Sequence, residues 1–285
     1  MIISGKTRVC GVIGDPIEHT LSPIMHNAAF KALKLDFAFL AFKVKAADVE
    51  KAVSGMRALG IHGLNVTMPH KSAVINYLDE VDQAAKAIGS VNTILNKDGR
   101  LFGFNTDGVG ALQALRENGV EPRGKKVLLL GAGGAARAIA YTLAREADEL
   151  VILNRTAKQA AELANLLKQT FDRKVVADAL SPNAIKDTLQ DSDLLINATS
   201  VGMKPNANKT PVAFEWLRPD LAVMDIVYNP VETKLAKDAK AAGAKVVSGF
   251  EMLIYQGAAS FEIWTGHSAP VEVMRHAAFN HLLKV

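Results

Sequence analysis

One cysteine, Cys10, stands among 285 residues. It cannot close an intramolecular disulfide and has no Cys or His at zinc-finger spacing, so a disulfide scaffold is excluded. A reducing compartment, the cytoplasm, is the expected location, with Cys10 as a small buried side chain. Long apolar runs are also missing: no stretch approaches the ~20 uninterrupted apolar residues of a membrane span. Residues 1–14 carry Lys6 and Arg8 but no apolar run of signal-peptide length closed by a small-residue cleavage site. Nor is there a long run of like charge. The 33 Lys and Arg exceed the 29 Asp and Glu by a formal +4, spread without a basic stripe, which argues against a nucleic-acid partner. The seven histidines, at 19, 26, 62, 70, 267, 276 and 281, show no recognised ligand spacing, and no metal is expected. No internal repeat and no low-complexity linker is present.

What is there suits a globular protein with one large or two ordinary domains: 49% of residues are hydrophobic and 22% charged. Strand and helix signals alternate almost throughout, which predicts an α/β fold. An apolar run at 8–14 closes on Gly14-Asp15-Pro16 and reads as a strand entering a turn. Ser22 as N-cap and Pro23 at the first helical position open a helix to about residue 34. Strands follow at 37–44 and 63–67 with a helix at 47–59 between them, and Asp98-Gly99 predicts a hairpin across 91–105. After a turn-rich junction at 118–124, a strand at 127–130, a glycine cluster, a helix to 146 and a strand at 150–153 make one crossover unit. Further buried strands are expected at 194–197, 222–227 and 245–247, and helices from 250 to the end.

The glycine cluster, Gly131-Ala132-Gly133-Gly134-Ala135-Ala136, fits G-x-G-x-x-A between a buried strand and a helix. Gly131 permits the tight turn, Gly133 lets the backbone approach a pyrophosphate, and Ala136 allows close packing of helix on strand. The helix N-terminus offers free N–H groups to the phosphates. A packing turn alone is the competing reading. After the next strand, where an NAD site would place an acid, the chain has Asn154-Arg155-Thr156-Ala157-Lys158. Two cations suit the 2′-phosphate of NADP, which an acid would repel; solvated helix-start residues are the alternative.

Polar clusters sit at strand ends in the N-terminal region: His19-Thr20-Leu21-Ser22-Pro23, Asn65-Val66-Thr67-Met68-Pro69-His70-Lys71, Val91-Asn92-Thr93 and Asn105-Thr106-Asp107-Gly108. They supply hydroxyls, amides, one amine and one carboxylate, an inventory for a polyhydroxylated ligand. Taken singly each is ambiguous, since Ser22 serves equally as a cap and Asn92 and Thr67 as turn closers. Gln256 lies among apolar residues at helical spacing and needs a partner, either a ligand or backbone.

These clusters, in this order ahead of the glycine loop, resemble the shikimate dehydrogenase family. The resemblance continues through Asn154-Arg155-Thr156, Asn197-Ala198-Thr199-Ser200, Asp225-x-x-Tyr228-Asn229-Pro230 and Met252-Leu253-x-x-Gln256-Gly257. It covers nearly the whole chain. It implies an N-terminal α/β substrate domain over 1–110, a Rossmann-type doubly wound NADP-binding domain over 111–248, and C-terminal helices over 249–285 that return to the first domain. The implied reaction is reversible NADP-linked reduction of 3-dehydroshikimate to shikimate, on the route to chorismate and the aromatic amino acids. On that pattern Thr20, Ser22, Thr67, Asn92, Tyr228 and Gln256 contact substrate, and Lys71 and Asp107 form the catalytic pair. Gly131, Ala132, Gly133, Gly134, Ala135, Asn154, Arg155, Thr156, Lys158, Thr199, Ile226 and Gly249 serve the cofactor.

The chemistry agrees with that pairing. When hydride leaves an alcohol carbon, the hydroxyl proton needs a positioned base, and a Lys beside an Asp supplies one. A neighbouring carboxylate raises a lysine pKa and desolvation lowers it, so the balance at Lys71 is left open. Two positions depart from the family pattern. Thr20 stands where Ser is commonest, and Gln159 stands where a cation is usual, with Lys158 one residue earlier. Rival readings are a quinate or dual quinate/shikimate dehydrogenase and a non-catalytic sensor on the same fold. The expected partners are small molecules, not nucleic acid or membrane, with a homodimer as the oligomer considered.

Overall fold

A computed structural model describes residues 3–283. The chain divides into two compact units, Met1–Thr106 with Ile254–Val285, and Asp107–Leu253. In the first, β1 (Arg8–Gly14), α1 (Ser22–Ala32) and β2 (Phe37–Lys43) lead through a 3₁₀ turn at Ala46–Asp48 into α2 (Val49–Ala58) and β3 (Gly63–Val66). A second 3₁₀ turn at Ala73–Tyr77 precedes β4 (Glu80–Val81), α3 (Gln83–Ile88), β5 (Thr93–Lys97) and β6 (Arg100–Phe104). The sheet runs β2-β1-β3-β5-β6-β4. Its first three strands are parallel, and β5 returns antiparallel to β3 and to β6. Asp98 and Gly99 both take positive φ, 52° and 86°, the geometry that matches a two-residue hairpin loop to strand twist.

The second unit opens with α4 (Asp107–Glu117) and continues β7 (Lys126–Leu130), α5 (Gly134–Leu143), β8 (Glu149–Asn154), α6 (Ala157–Thr170), β9 (Lys174–Ala179) and α7 (Pro182–Leu189). After these come β10 (Leu194–Asn197), β11 (Ala222–Asp225), α8 (Lys234–Ala241) and β12 (Lys245–Ser248). All six strands are parallel in the order β12-β11-β10-β7-β8-β9. Read from β9, this is the doubly wound order 3-2-1-4-5-6, with its switch point between β7 and β10. Helices on both faces bury these strands, which is why Val127-Leu128-Leu129-Leu130 is uninterrupted apolar sequence and wholly buried. α9 (Gly249–Thr265) begins in this unit and ends in the first, where α10 (Val271–Leu282) packs on α1.

The strands expected from sequence are all present, with their ends shifted by one or two residues. β4, α3, α4, α6, β9, α7 and α8 are not among the elements expected from sequence; β4 and α3, at two and six residues, are too short to carry a period. The first turn of the 47–59 helix is 3₁₀. Ser22 is not the N-cap: Leu21 occupies that position with no side-chain cap, and Ser22 is the first helical residue. The Thr20 hydroxyl takes over locally, accepting from the Ser22 N–H at 3.3 Å.

The first unit's core contains an unusual group. His26 of α1 is fully buried and stacks on Phe39 at 4.5 Å between centroids, with Trp264 of α9 at 5.3 Å. Neither ring nitrogen has a hydrogen-bond partner among the described residues, and burial pushes its pKa down to about 3. The folded protein therefore keeps His26 neutral while the unfolded chain protonates it at about pH 6.5. Its contribution to stability is complete above that pH and is lost as pH falls toward 3, at about 1.4 kcal/mol per pH unit. His26→Leu is expected to flatten the acid limb of stability between pH 6 and 3, read by urea unfolding at several pH values. An unchanged slope would assign acid sensitivity to other groups.

Candidate active site

In the first unit the site grows from the adjoining ends of β1 and β3. The Thr67 N–H donates to Ile13 O at 2.9 Å and the Asp15 N–H to Met68 O at 3.1 Å, zipping the two post-strand turns together. Gly14 is required at this junction, because a Cβ there would overlap Thr67 Cγ2. Lys71 follows, half-buried. Its carbonyl accepts from the Val91 N–H at 2.8 Å, and the neighbouring His70 ring bonds Val44 O at 2.7 Å, so the backbone that carries the amine is tied to two further segments. Thr20 and Ser22 lie together, their hydroxyls 3.2 Å apart.

Asn92 is buried, and its backbone is paired on both sides: its N–H donates to Phe104 O at 3.0 Å and its carbonyl accepts from Val66 N–H at 2.8 Å. The amide orientation follows from its partners. Oδ1 accepts from the Thr106 N–H at 2.8 Å and the Thr93 hydroxyl at 2.9 Å, which leaves Nδ2 as the donor end, 3.5 Å from Gln256 Oε1. Beneath it the Ser260 hydroxyl meets Thr93 Oγ1 at 2.8 Å, Asn65 Nδ2 at 3.1 Å and Thr106 Oγ1 at 3.2 Å. Asn65 Oδ1 is buried with no hydrogen-bond partner among the described residues. Asn65, Thr93 and Thr106 lie inside the polar clusters of the sequence, where spacing assigns them no role. Ser260 had one available signal: it lies four residues after Gln256, hence on the same helical face. Gln256 itself is half-buried, where sequence suggested a buried amide.

In the second unit Asp107 is the first residue of α4 and is 5% exposed. A helix N-terminus favours a carboxylate there. The glycine turn lies at the switch point. Gly131 has φ +113°, and a Cβ on it would fall 2.7 Å from Ala198 O, so both conformation and space demand glycine. Ala132 is buried beside it. Gly133 is exposed, with no atom within 4 Å of where a Cβ would stand. It precedes α5, whose first residues, Gly134 and Ala135, are half-buried. That open N-terminus is the cradle a pyrophosphate would fill.

The loop after β10 is held by side chains. Asn197 Oδ1 accepts from Thr199 Oγ1 at 2.7 Å and from its N–H at 3.1 Å. Asn197 Nδ2 donates to Asp225 Oδ1 at 2.9 Å, and Asp225 also accepts from the Val227 N–H at 3.1 Å and the Thr233 hydroxyl at 2.6 Å. Burial pushes the Asp225 carboxyl above its usual range, against those three donors. Gly249 abuts the Ile226 carbonyl so closely that any Cβ would overlap it. Tyr228, half-buried two residues on, has its phenol pKa raised by burial and stays neutral.

After β8, Asn154 Nδ2 donates to Thr156 O at 3.1 Å and to Gln159 Oε1 at 3.0 Å, which braces the turn. Arg155, Thr156 and Lys158 are exposed, and neither cation has an ion-pair partner among the described residues. Open space at Gly133 and unpaired cations after the second strand both fit a dinucleotide with a 2′-phosphate.

A doubly wound sheet with this turn at its switch point, joined to a unit rich in buried hydroxyls and amides, defines a two-domain, dinucleotide-linked oxidoreductase. Comparison with known proteins narrows the class. The family described as "Shikimate dehydrogenase substrate binding domain" matches residues 12–94, "Shikimate / quinate 5-dehydrogenase" residues 114–227, and "Shikimate 5'-dehydrogenase C-terminal domain" residues 249–279. The chain is 52% identical to the shikimate dehydrogenase (NADP(+)) of Methanopyrus kandleri over 98% of both chains. A crystal structure of a shikimate dehydrogenase in complex with NADP+ has TM-score 0.92 and 44% identity, covering 99% of this chain and 98% of that one. A shikimate 5-dehydrogenase from Listeria monocytogenes in complex with shikimate and NAD has TM-score 0.91 and 39% identity, covering 96% and 97%. The chain belongs to the shikimate dehydrogenase family. No helix among the described residues is long and apolar enough to cross a membrane.

Proposed function

We propose that the chain interconverts 3-dehydroshikimate and shikimate with NADP(H) in the cytoplasm, as a step toward chorismate and the aromatic amino acids. The observation that carries the reading is membership of the family along the full chain, with each polar cluster present in order. NADP, when bound, supplies hydride acceptance and donation. Gly131 to Ala135 and the α5 N-terminus would hold its pyrophosphate, and Arg155 and Lys158 its 2′-phosphate, with Asn154 and Thr156 shaping that turn. Thr199, Ile226 and Gly249 would line the remaining contact.

The chain's own work is then binding and proton handling. Thr20, Ser22, Thr67, Asn92, Gln256 and Tyr228 bind the hydroxyls and carboxylate of the substrate. Lys71 takes the proton from the reacting hydroxyl during oxidation and returns it during reduction, and Asp107 partners it. The test is NADPH formation by the purified protein with shikimate as the only reductant. Saturable turnover is expected. Tight binding of shikimate or NADP+ without turnover would favour a sensor on the same fold.

A further inference from the structure

Gly108 follows Asp107 in the first turn of α4. It is buried, and a Cβ built on it would fall 3.0 Å from the Ala138 carbonyl carbon, with Ala138 O and Thr142 Oγ1 closer still. Both contacts lie on α5, the helix that begins at the glycine turn. One obstacle is the end of a side chain. The other is a backbone carbonyl within a helix, which cannot swing away without breaking its own hydrogen-bond ladder. A methyl at 108 would therefore displace the start of α4 as a whole.

We infer that Gly108 is a positioning residue: its bare backbone docks α4 on α5 and so fixes Asp107 in the same rigid body as the phosphate cradle. The inference rests on the reading of Asp107 and α5 given above. It adds that the carboxylate's place relative to the cofactor is set by helix packing inside one unit, at a residue that touches neither ligand. A displacement of about 1 Å at a catalytic group is enough to cost ~100-fold in rate.

Gly108→Ala is the test, with Asp107→Asn for comparison and Leu115→Ala as the control for plain destabilisation. Leu115 is buried at the far end of α4. Gly108→Ala is expected to lower kcat for shikimate oxidation by about 100-fold. Its NADP+ dissociation constant, titrated calorimetrically without substrate, is expected to stay at the wild-type value. The pH profile of kcat is expected to move in the same direction as that of Asp107→Asn. Leu115→Ala is expected to lower Tm while keeping the wild-type pH profile. Wild-type kcat in Gly108→Ala would overturn the inference, as would a loss of kcat that follows Tm with an unmoved pH profile. Should the wild type itself not turn over, the reading of the activity fails separately. Amide exchange at residues 107–110 of Gly108→Ala then decides: faster exchange with NADP+ affinity intact supports the inference, and unchanged exchange overturns it.

Discussion

Lys71→Ala is expected to lower kcat by about a thousandfold, within the range that positioned proton transfer contributes, while KM for shikimate changes far less. Lys71 is half-buried and its carbonyl accepts from the Val91 N–H, so the backbone at this position stays tied when the amine is removed. Binding then survives while the proton acceptor is gone, the pattern of an interaction made chiefly in the transition state. Lys71→Arg sharpens the test. A guanidinium keeps the positive charge but does not deprotonate in the working range, so arginine is expected to restore little of the rate. Initial rates at saturating NADP+ measure both. Near-wild-type kcat in either variant would remove Lys71 from proton transfer.

Arg155→Ala is expected to cost kcat/KM for NADP+ about 10- to 100-fold, the scale of a charge-assisted phosphate contact, and to leave kcat/KM for NAD+ almost unchanged. The argument lies in what surrounds the residue. Arg155 and Lys158 have no carboxylate partner among the described residues, whereas Gln159, the next candidate on the helix start, is occupied by Asn154 at 3.0 Å. The double variant with Lys158→Ala is expected to come close to removing the preference between the two dinucleotides. Steady-state rates with each cofactor test this, and an equal loss with both would show that Arg155 shapes the turn and does not read the phosphate.

The strands were legible because burial writes itself into composition: a central parallel strand such as β7 must be apolar on both faces. The glycine turn was legible for a different reason, since the positive φ at Gly131 and the Ala198 carbonyl beside it exclude a side chain there. The N-terminus of α1 was not. Ser22 followed by Pro23 carries the signature of a cap, but the neighbouring Thr20 hydroxyl captures the Ser22 N–H and moves the helix start by one residue. The support beneath Asn92 was hidden because it is a tertiary object. Ser260 joins Asn65, Thr93 and Thr106 across intervals of more than 150 residues, and no local spacing announces such a contact. Asp225 lies within a sequence motif, yet its work of fixing Asn197 and Thr233 shows only when β10 and β11 lie side by side.

Quinate stands beside shikimate in the family description that matches residues 114–227, so the central claim is tested most directly by one matrix of initial rates. Purified protein is assayed with shikimate and with quinate, each against NADP+ and NAD+. The account predicts the highest kcat/KM for shikimate with NADP+, lower values for shikimate with NAD+, and the lowest for quinate with either cofactor. Preference for quinate with NAD+, or no turnover in any of the four combinations, would contradict it.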